Sequence, residues 1–318
     1  KEEAYSLRVT PGGALITAMD TRGFYYGMKT LEQLLLRRGG TTTIAACDIV
    51  DWPDFEIRGF MNDVGRNYMP LPLIARELDS MAQLKLNVYH FHFTENPGWR
   101  LESKIYPELN DSRNYTRMPG KFYTQKEFKQ LVEYCRLRNI LLIPEMDMPG
   151  HSQMFRKALN VKMSDEKATK ALVALIKELC SLVPKEKMPI IHIGTDEVRG
   201  RDEQVNNEIL KEYINAVESC GRIPMRWQPG LTPKGYNGSI QQLWSGRQNR
   251  GAWPTDGAKY VDSLETYLNH LDPFETAMTM YFRRACPFRN AEGLGMMLCS
   301  FPDLSLIHIS EPTRHAQI

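Results

Sequence analysis

Short apolar, β-rich runs alternate with amphipathic stretches between Asp51 and Asp303. Such alternation is typical of parallel βα units, in which a helix covers the sheet between two strands. The predicted strands, in chain order, are Arg58–Val64, Asn87–Thr94, Ile140–Asp147, Ile190–Glu197, Ile223–Gln228, Ser239–Trp244, Tyr260–Leu268 and Gly295–Pro302. Eight strands within about 250 residues fit a (β/α)8 barrel, so we predict an α/β TIM barrel rather than an open doubly wound sheet.

Helix-period patterns lie between several of these strands. The clearest begins with a capping box, Thr124 followed by Glu127, ahead of an apolar stripe. Residues 74–84, 168–179 and 209–217 also carry apolar positions at helical spacing. The connections between the fifth, sixth and seventh strands are much shorter, so we expect an irregular barrel with helices missing or reduced to turns there.

The two ends of the chain have different patterns. Residues 1–50 predict the strands Tyr5–Thr10, Ala14–Ala18 and Thr42–Ile49 with a helix over Tyr26–Leu36. So few strands cannot close a core, and we interpret them as the C-terminal remnant of a small α/β domain. Residues 51–303 form the predicted barrel, which lacks its last helix. Residues 304–318 resemble a translated sequencing-library adapter, so we expect a non-native tail there.

Composition and charge remove several functional classes. The 40 basic and 38 acidic residues leave a formal net charge of +2, which does not indicate a nucleic-acid partner. The longest apolar run, Ile140–Ile143, is far too short for a membrane span, so we expect a soluble globular protein. The six cysteines form no C-x-x-C pair, and no G-x-G-x-x-G follows the first strand, so neither a zinc site nor a dinucleotide cofactor is predicted.

The candidate chemistry lies at the predicted carboxyl ends of the strands, where barrel enzymes carry their catalytic groups. The sharpest motif is His192-Ile-Gly-Thr-Asp196-Glu197. His192 and Asp196 face one side of the strand, whereas Glu197 lies at the bend that follows. Two adjacent carboxylates at such a point can have separate environments and separate pKa values. The alternative is that both carboxylates cap the next segment and that His192 is a core histidine.

Two more strands end in ionisable clusters. Glu145-Met-Asp-Met-Pro-Gly-His151 places a histidine near carboxylates whose pKa values it can tune, although a Pro-Gly turn with a surface histidine is the alternative. His90-Phe-His92-Phe-Thr-Glu95 carries two alternating histidines that suggest a metal. We predict no metal, because no third ligand of matched spacing appears in the sequence.

Aromatic side chains lie near the ends of the last four predicted strands. They are Trp227, Trp244, Tyr267 and Phe301. Their apolar faces suit a sugar ring or an acetyl methyl group, although each one alone is typical of a core. Arg58, which opens the first barrel strand, either binds sugar hydroxyls bidentately or pairs with Asp63.

These motifs, in this order, resemble the β-N-acetylhexosaminidases of glycoside hydrolase family 20. The resemblance covers nearly the whole native chain and includes Gly12-Gly13-Ala14, Gly23-Phe-Tyr-Tyr-Gly27, Arg58-Gly59, Gly98-Trp99-Arg100, Pro149-Gly150-His151 and the hexapeptide ending at Glu197. It implies a TIM barrel behind a small α/β domain, an exo-acting glycosidase without a cofactor, a carbohydrate substrate, and a periplasmic or secreted location. The oligomeric state stays open.

The same resemblance implies a role for each site residue. Glu197 protonates the glycosidic oxygen, and Asp196 orients the substrate's 2-acetamido group, whose carbonyl oxygen is the nucleophile. His151, with Glu95 as its partner, tunes the acid. The remaining implied substrate contacts are Arg58, Trp227, Trp244, Tyr267, Asn269, Phe301, Asp303 and His192.

The chain also departs from the family pattern. Glu95 and Asn96 stand where two aspartates are common, so the partner of His151 is either a longer carboxylate or lost. Asn269, Phe301 and Asp303 stand where Asp, Trp and Glu are usual, which leaves the choice between terminal β-GlcNAc and β-GalNAc open. The alternatives are a carbohydrate-binding barrel with little turnover and a lacto-N-biosidase-like enzyme. Because the acid pair is retained, we favour the hydrolase.

Overall fold

A computed structural model describes residues 1–198, 203–232, 236–245, 253–264, 266–268, 278 and 280–301. Its strands are β1 (Tyr5–Thr10), β2 (Gly13–Ala18), β3 (Leu36–Arg38), β4 (Thr41–Thr43), β5 (Cys47–Asp51), β6 (Ile57–Asp63), β7 (Val88–His92), β8 (Thr94–Glu95), β9 (Gly98–Trp99), β10 (Leu141–Glu145), β11 (Ile190–His192), β12 (Ile223–Gln228), β13 (Ile240–Leu243), β14 (Lys259–Asp262) and β15 (Glu292–Ser300). Its helices are α1 (Thr21–Leu34), α2 (Leu71–Gln83), α3 (Gln125–Arg136), α4 (Gln153–Leu159), α5 (Glu166–Ser181) and α6 (Glu203–Ser219), with two short 3-10 turns over Pro107–Asn110 and Ser112–Asn114.

Eight parallel strands close into a barrel in the order β10-β11-β12-β13-β14-β15-β6-β7. The register aligns the carboxyl ends of neighbouring strands, since Asp63 pairs with His92, and Glu145 pairs with both His92 and His192. The predicted TIM barrel is therefore confirmed. In the predicted irregular quadrant, the described residues between β12 and β13 and between β13 and β14 contain no helix.

The helices begin and pack as their sequences predict. Thr124 and Glu127 form the capping box of α3, with side-chain and backbone groups bonded in both directions. Ile74, Leu78 and Met81 lie on the buried face of α2. Leu84 follows the helix and is exposed, so it does not belong to that stripe as predicted. An apolar core fills the interior of the barrel, and it includes Met61, Val88, Ile143, Val261 and Met297.

The amino-terminal unit is a three-stranded antiparallel sheet, β2-β1-β5, with α1 packed against it. The predicted strand Thr42–Ile49 is wrong in extent. The structure divides this stretch into the exposed hairpin β3–β4, which turns at Gly39 and Gly40 with positive φ, and the edge strand β5. Strand β5 begins only at Cys47, where antiparallel pairing with β1 becomes available.

All six cysteines are free thiols, and Cys135, Cys180 and Cys299 are buried. Among the described residues no helix combines the length and the apolar character needed to cross a membrane. The predicted adapter-derived tail, residues 304–318, lies outside the described residues.

Arg58 joins the amino-terminal unit to the barrel, and its prediction as a sugar ligand is corrected. It lies at the amino end of β6, about 16 Å from Asp63 at the carboxyl end if each residue advances about 3.3 Å. Its guanidinium donates to the backbone oxygens of Lys85 at 2.9 Å and Phe55 at 2.8 Å, and to Glu3 Oε2 at 2.7 Å. All three guanidinium nitrogens therefore have partners at the opposite end of the barrel from the acid pair.

We expect Arg58→Gln to lower the free energy of unfolding by about 1–3 kcal/mol, because buried Glu3 loses its closest cation. Urea unfolding measures this change. Arg8→Gln is the control, since Arg8 and its partner Asp48 are both exposed, and it should leave the free energy of unfolding unchanged within the error of the measurement. Unchanged stability together with loss of sugar binding in Arg58→Gln would restore the original prediction.

Candidate functional site

Asp196 and Glu197 follow β11 through a turn that only a few residue types tolerate. Gly194, Thr195 and Glu197 have φ values of +69°, +89° and +48°. A Cβ at Gly194 would lie 1.8 Å from Asp147 Oδ1, so glycine is required by close approach as well as by φ. As a result the neighbouring carboxylates differ in environment: the Asp196 side chain is 15% exposed, and the Glu197 side chain is 46% exposed.

His151 lies between the acid pair and Glu95. Its Nε2 is 3.2 Å from Glu197 Oε2 and 3.7 Å from Asp196 Oδ2, while its Nδ1 contacts Glu95 Oε1. Burial alone would lower the pKa of His151, but the surrounding carboxylates, Asp147 foremost, outweigh it and raise the pKa to about 12. The imidazole is therefore a cation at neutral pH.

Glu95 occupies the place of the carboxylate partner of His151. It is buried, and it also contacts Arg66 Nη2 at 2.5 Å and the backbone N–H of Asn96. Burial raises the pKa of Glu95, but the bond to His151 and the charge of Arg66 reverse that effect and lower it overall. The sequence left open whether the partner of His151 is a longer carboxylate or is lost. In the structure the longer carboxylate, Glu95, contacts His151.

Asp196 is the more shielded member of the acid pair. Burial raises its pKa, the charges of Glu145 and Glu197 act in the same direction, and His151 partly offsets them. Asp147, which is buried directly beside this group, has its pKa raised well above the ordinary value, first by burial and then by the charge of Asp196. The pair thus contains one shielded carboxylate and one that reaches solvent.

Arg66, which was not among the predicted site residues, lies at this rim beside Asp63 and Glu95. Its Nη1 lies 2.6 Å from Asp63 Oδ2, its Nη2 contacts Glu95, and its guanidinium carbon is 5.3 Å from the centre of the Phe301 ring. Its sequence position offered the signal: Arg66 follows the carboxyl end of β6, whereas Arg58 opens the strand. The rule that barrel sites lie at carboxyl ends favours Arg66 over Arg58.

A buried carboxylate, Glu145, organises the layer beneath the acid pair. Its Oε2 lies 2.8 Å from His90 Nε2 and 2.5 Å from His92 Nδ1. Its Oε1 lies 3.2 Å from His192 Nδ1 and accepts a 2.6 Å bond from Trp227 Nε1. Although burial opposes ionisation, the adjacent imidazoles hold the pKa of Glu145 well below its ordinary value.

The histidines of this buried layer differ in charge. Burial lowers the pKa of His90 to about 4, so this ring is neutral at pH 7. The same burial acts on His92, but the charges of Glu145 and Asp63 outweigh it and raise the pKa to about 10. His192 is fully buried, so the predicted contact between His192 and substrate is corrected to a supporting position below the site.

The folded chain brings further potential metal ligands close to His90 and His92, so their spacing in the sequence does not exclude a metal. Glu145 and His192 bring ligand atoms within 4.8 Å of His90, and His92 has Glu145 and Asp147 equally near. Each Glu145 oxygen, however, already has two nitrogens within 3.2 Å. Glu145 thus pairs with histidines and Trp227, and the absence of a metal stays our prediction.

The predicted aromatic residues divide between the rim and the interior. Tyr267 and Phe301 stack with ring centres 5.3 Å apart, and Phe301 meets the His92 ring edge-on. Burial raises the pKa of the Tyr267 phenol well above its ordinary value, and the charges of the acid pair act in the same direction.

Trp244 is half-buried and donates to the backbone oxygen of Pro229. Trp227 is buried deeper, against Glu145. Two further predicted contacts, Asn269 and Asp303, lie outside the described residues.

A closed parallel barrel with an acid pair, an arginine and aromatic rings at its carboxyl rim defines a TIM-barrel protein with an enzyme-type site. Two family models match the chain: "Glycosyl hydrolase family 20, domain 2" over residues 1–52 and "Glycosyl hydrolase family 20, catalytic domain" over residues 55–171. Together they cover more than half of the chain. The protein belongs to glycosyl hydrolase family 20.

Individual relatives agree with this assignment. A beta-hexosaminidase of Porphyromonas gingivalis is 39% identical over 165 residues, which cover 48% of this chain and 21% of the relative. One from Vibrio furnissii is 31% identical over 233 residues, covering 62% of this chain and 38% of the relative. This chain therefore spans well under half the length of either relative.

A mutant Streptomyces plicatus beta-hexosaminidase, solved in complex with its product GlcNAc, has the same fold. The two structures superpose with a TM-score of 0.82 at 23% identity, over 94% of this chain and 70% of that chain. At this identity the likeness supports the architecture of the barrel, while the site rests on the residues above.

We expect the stabilising effect of His151 to depend on pH. Its folded pKa is raised from 6.5, so its contribution is fully present below about pH 6.5, declines above it, and is lost as the pH passes through the folded value of about 12. The lowered pKa of Glu95 makes that carboxylate's contribution present above its ordinary 4.5 and lost as the pH falls through the folded value.

Urea unfolding of the wild type and of His151→Asn between pH 5 and pH 9 tests this dependence. The difference in free energy of unfolding should be largest between about pH 4.5 and 6.5 and should shrink towards pH 9. A difference that stays constant or grows with pH would show that His151 is not a buried cation.

Proposed function

We propose that this protein is an exo-acting β-N-acetylhexosaminidase that removes terminal, non-reducing β-linked N-acetylhexosamine with retention of configuration. The observation that carries the proposal is the pairing of Asp196, which is shielded, with Glu197, which reaches solvent and contacts the imidazolium of His151. Family membership and the beta-hexosaminidase relatives support the same activity.

In this proposal Glu197 is the proton donor. As the bond between the anomeric carbon and the glycosidic oxygen breaks, its proton passes to the departing oxygen. The cation at His151, held by Glu95, then stabilises the carboxylate that remains. In the second half of the reaction the Glu197 carboxylate takes a proton from water, which attacks the anomeric carbon and leaves the acid restored.

We infer that the nucleophile comes from the substrate, because membership of glycosyl hydrolase family 20 implies a substrate-assisted mechanism. The carbonyl oxygen of the 2-acetamido group bonds to the anomeric carbon as the leaving group departs, and an oxazolinium ion forms. Asp196 lies next to Glu197. Its carboxylate accepts a hydrogen bond from the acetamide N–H and stabilises the positive charge that develops on the oxazolinium ion. Water then opens the oxazolinium ring at the anomeric carbon, and the sugar is released with its original anomeric configuration.

We assign the exo mode of attack to Arg66, which lies on the rim beside Glu95. Arg66, held by Asp63 and Glu95, offers charged N–H groups beside the Phe301 ring. We assign to Arg66 the hydroxyl-binding role that the sequence analysis gave to Arg58. Tyr267 and Phe301 supply a stacked aromatic wall on which a terminal sugar can pack.

We expect Glu197→Gln to lower kcat for a β-GlcNAc disaccharide by about 10²–10⁴-fold, because an amide cannot donate the required proton. The loss should be far smaller for a dinitrophenyl β-GlcNAc, whose leaving group needs no proton. Asp196→Asn should slow both substrates, since it acts on the acetamide rather than on the leaving group. Steady-state kinetics on both substrates measures the contrast.

Glu166→Gln is a matched control, because Glu166 is an exposed carboxylate on α5 whose ion pair with Lys170 is solvated. Its kinetics should equal those of the wild type. Equal losses on both substrates in Glu197→Gln would remove Glu197 from the role of general acid. Far-ultraviolet circular dichroism and melting curves of each variant separate chemistry from unfolding.

A further inference from the structure

A cleft of about 410 Å³ opens beside the acid pair, and apart from His151 and Glu197 its lining residues play no part in the mechanism above. Its walls come from the loop that carries His151, from α4, and from the segment between α4 and α5. The residues that line it are Asn96, Pro149, Gly150, His151, Ser152, Arg156, Lys162, Met163, Ser164, Glu197 and Val198. The predicted sugar-binding aromatic residues are not among them.

The charge of this cleft is unbalanced. Arg156 and Lys162 are exposed, and their side chains form no ion pair with any residue in the described part of the chain. His151 adds a third positive charge. Among the described residues that line the cleft, Glu197 is the only carboxylate. The described lining therefore carries an excess of positive charge, which attracts ligands of the opposite sign.

The position of Glu197 indicates which part of a substrate occupies the cleft. The general acid lies at the glycosidic oxygen, between the terminal sugar and the group that leaves. The terminal sugar is assigned to the side of Asp196, Tyr267 and Phe301, none of which lines the cleft. The cleft is therefore on the leaving-group side of Glu197.

The walls of the cleft are held by backbone contacts. Asn96 Oδ1 accepts from the backbone N–H of Gln153 at 3.1 Å, which joins the loop after β8 to the start of α4. The backbone N–H of Lys162 donates to Asp165 Oδ2 at 2.8 Å, which fixes the turn before α5. Both cations thus extend from ordered backbone, with Arg156 in the last turn of α4.

We propose that this cleft is a leaving-group subsite for a sugar bearing an anionic substituent, a carboxylate or a sulfate ester, which Arg156 and Lys162 bind. The inference rests on the proposed hydrolase function, because it places the anionic sugar on the leaving side of the scissile bond. It goes further by naming the class of glycan that this chain prefers.

Matched disaccharides test the proposal: β-GlcNAc linked to glucuronate against β-GlcNAc linked to glucose, and β-GlcNAc linked to galactose with and without a 6-sulfate. For the wild type we expect kcat/KM to be about tenfold higher for at least one anionic member, about 1.4 kcal/mol. The preference should fall as salt is raised from 20 to 500 mM, because exposed charges are screened. The two pairs distinguish a carboxylate from a sulfate.

In the double variant Arg156→Gln/Lys162→Gln the preference should fall to about one. Arg37→Gln/Lys177→Gln is the matched control, because it removes one exposed arginine and one exposed lysine elsewhere, and it should keep the preference. Equal kcat/KM for every neutral and anionic pair in the wild type, or a preference that survives in the double variant, would overturn the proposal.

A binding measurement keeps the two proposals separate. If the wild type hydrolyses no β-GlcNAc substrate, the proposed function fails, and calorimetric titration with the same disaccharides still tests the cleft. Tighter binding of an anionic disaccharide by the wild type than by the double variant would then support the subsite. Equal binding by both proteins would reject it.

Discussion

The positive charge on His151 is the constraint on which the rest of the site depends. Glu95, Asp196 and Glu197 approach this one imidazole, and Asp147 lies close enough to raise its pKa. Without a cation among them, these carboxylates would repel one another and would take up protons. With it, Glu95 stays ionised, whereas the pKa of Asp196 is still raised. The two members of the acid pair therefore differ in burial and in electrostatic surroundings.

The barrel makes this arrangement possible in two layers. The parallel register brings the carboxyl ends of β6, β7, β10 and β11 together. The lower layer is a buried ion-pair network around Glu145, which also holds Trp227. Above it, the tight turn at Gly194 packs against Asp147 and directs Asp196 and Glu197 differently. The geometry of the rim thus depends on groups that are buried beneath it.

The sequence predicted what depends on periodicity and local motifs. Eight strand segments, the capping box at Thr124 and the acid pair were all readable, because each is a local pattern. Contacts between distant segments were not readable. Arg58 and Arg66 are eight residues apart in the sequence, and only the direction of β6 decides which one reaches the rim. The contact of His192 with Glu145 could not be predicted, because Glu145 comes from another strand. His192 was therefore assigned to the substrate.

The most direct test of the account compares an aryl β-N-acetylglucosaminide with the corresponding aryl β-glucoside. The two substrates share leaving group and linkage and differ only in the acetamide that we hold to be the nucleophile. An intramolecular nucleophile confers a large rate advantage, so kcat/KM for the glucoside should be lower by at least about a thousandfold. Comparable kcat/KM values for the two substrates would contradict the substrate-assisted mechanism and, with it, the role assigned to Asp196.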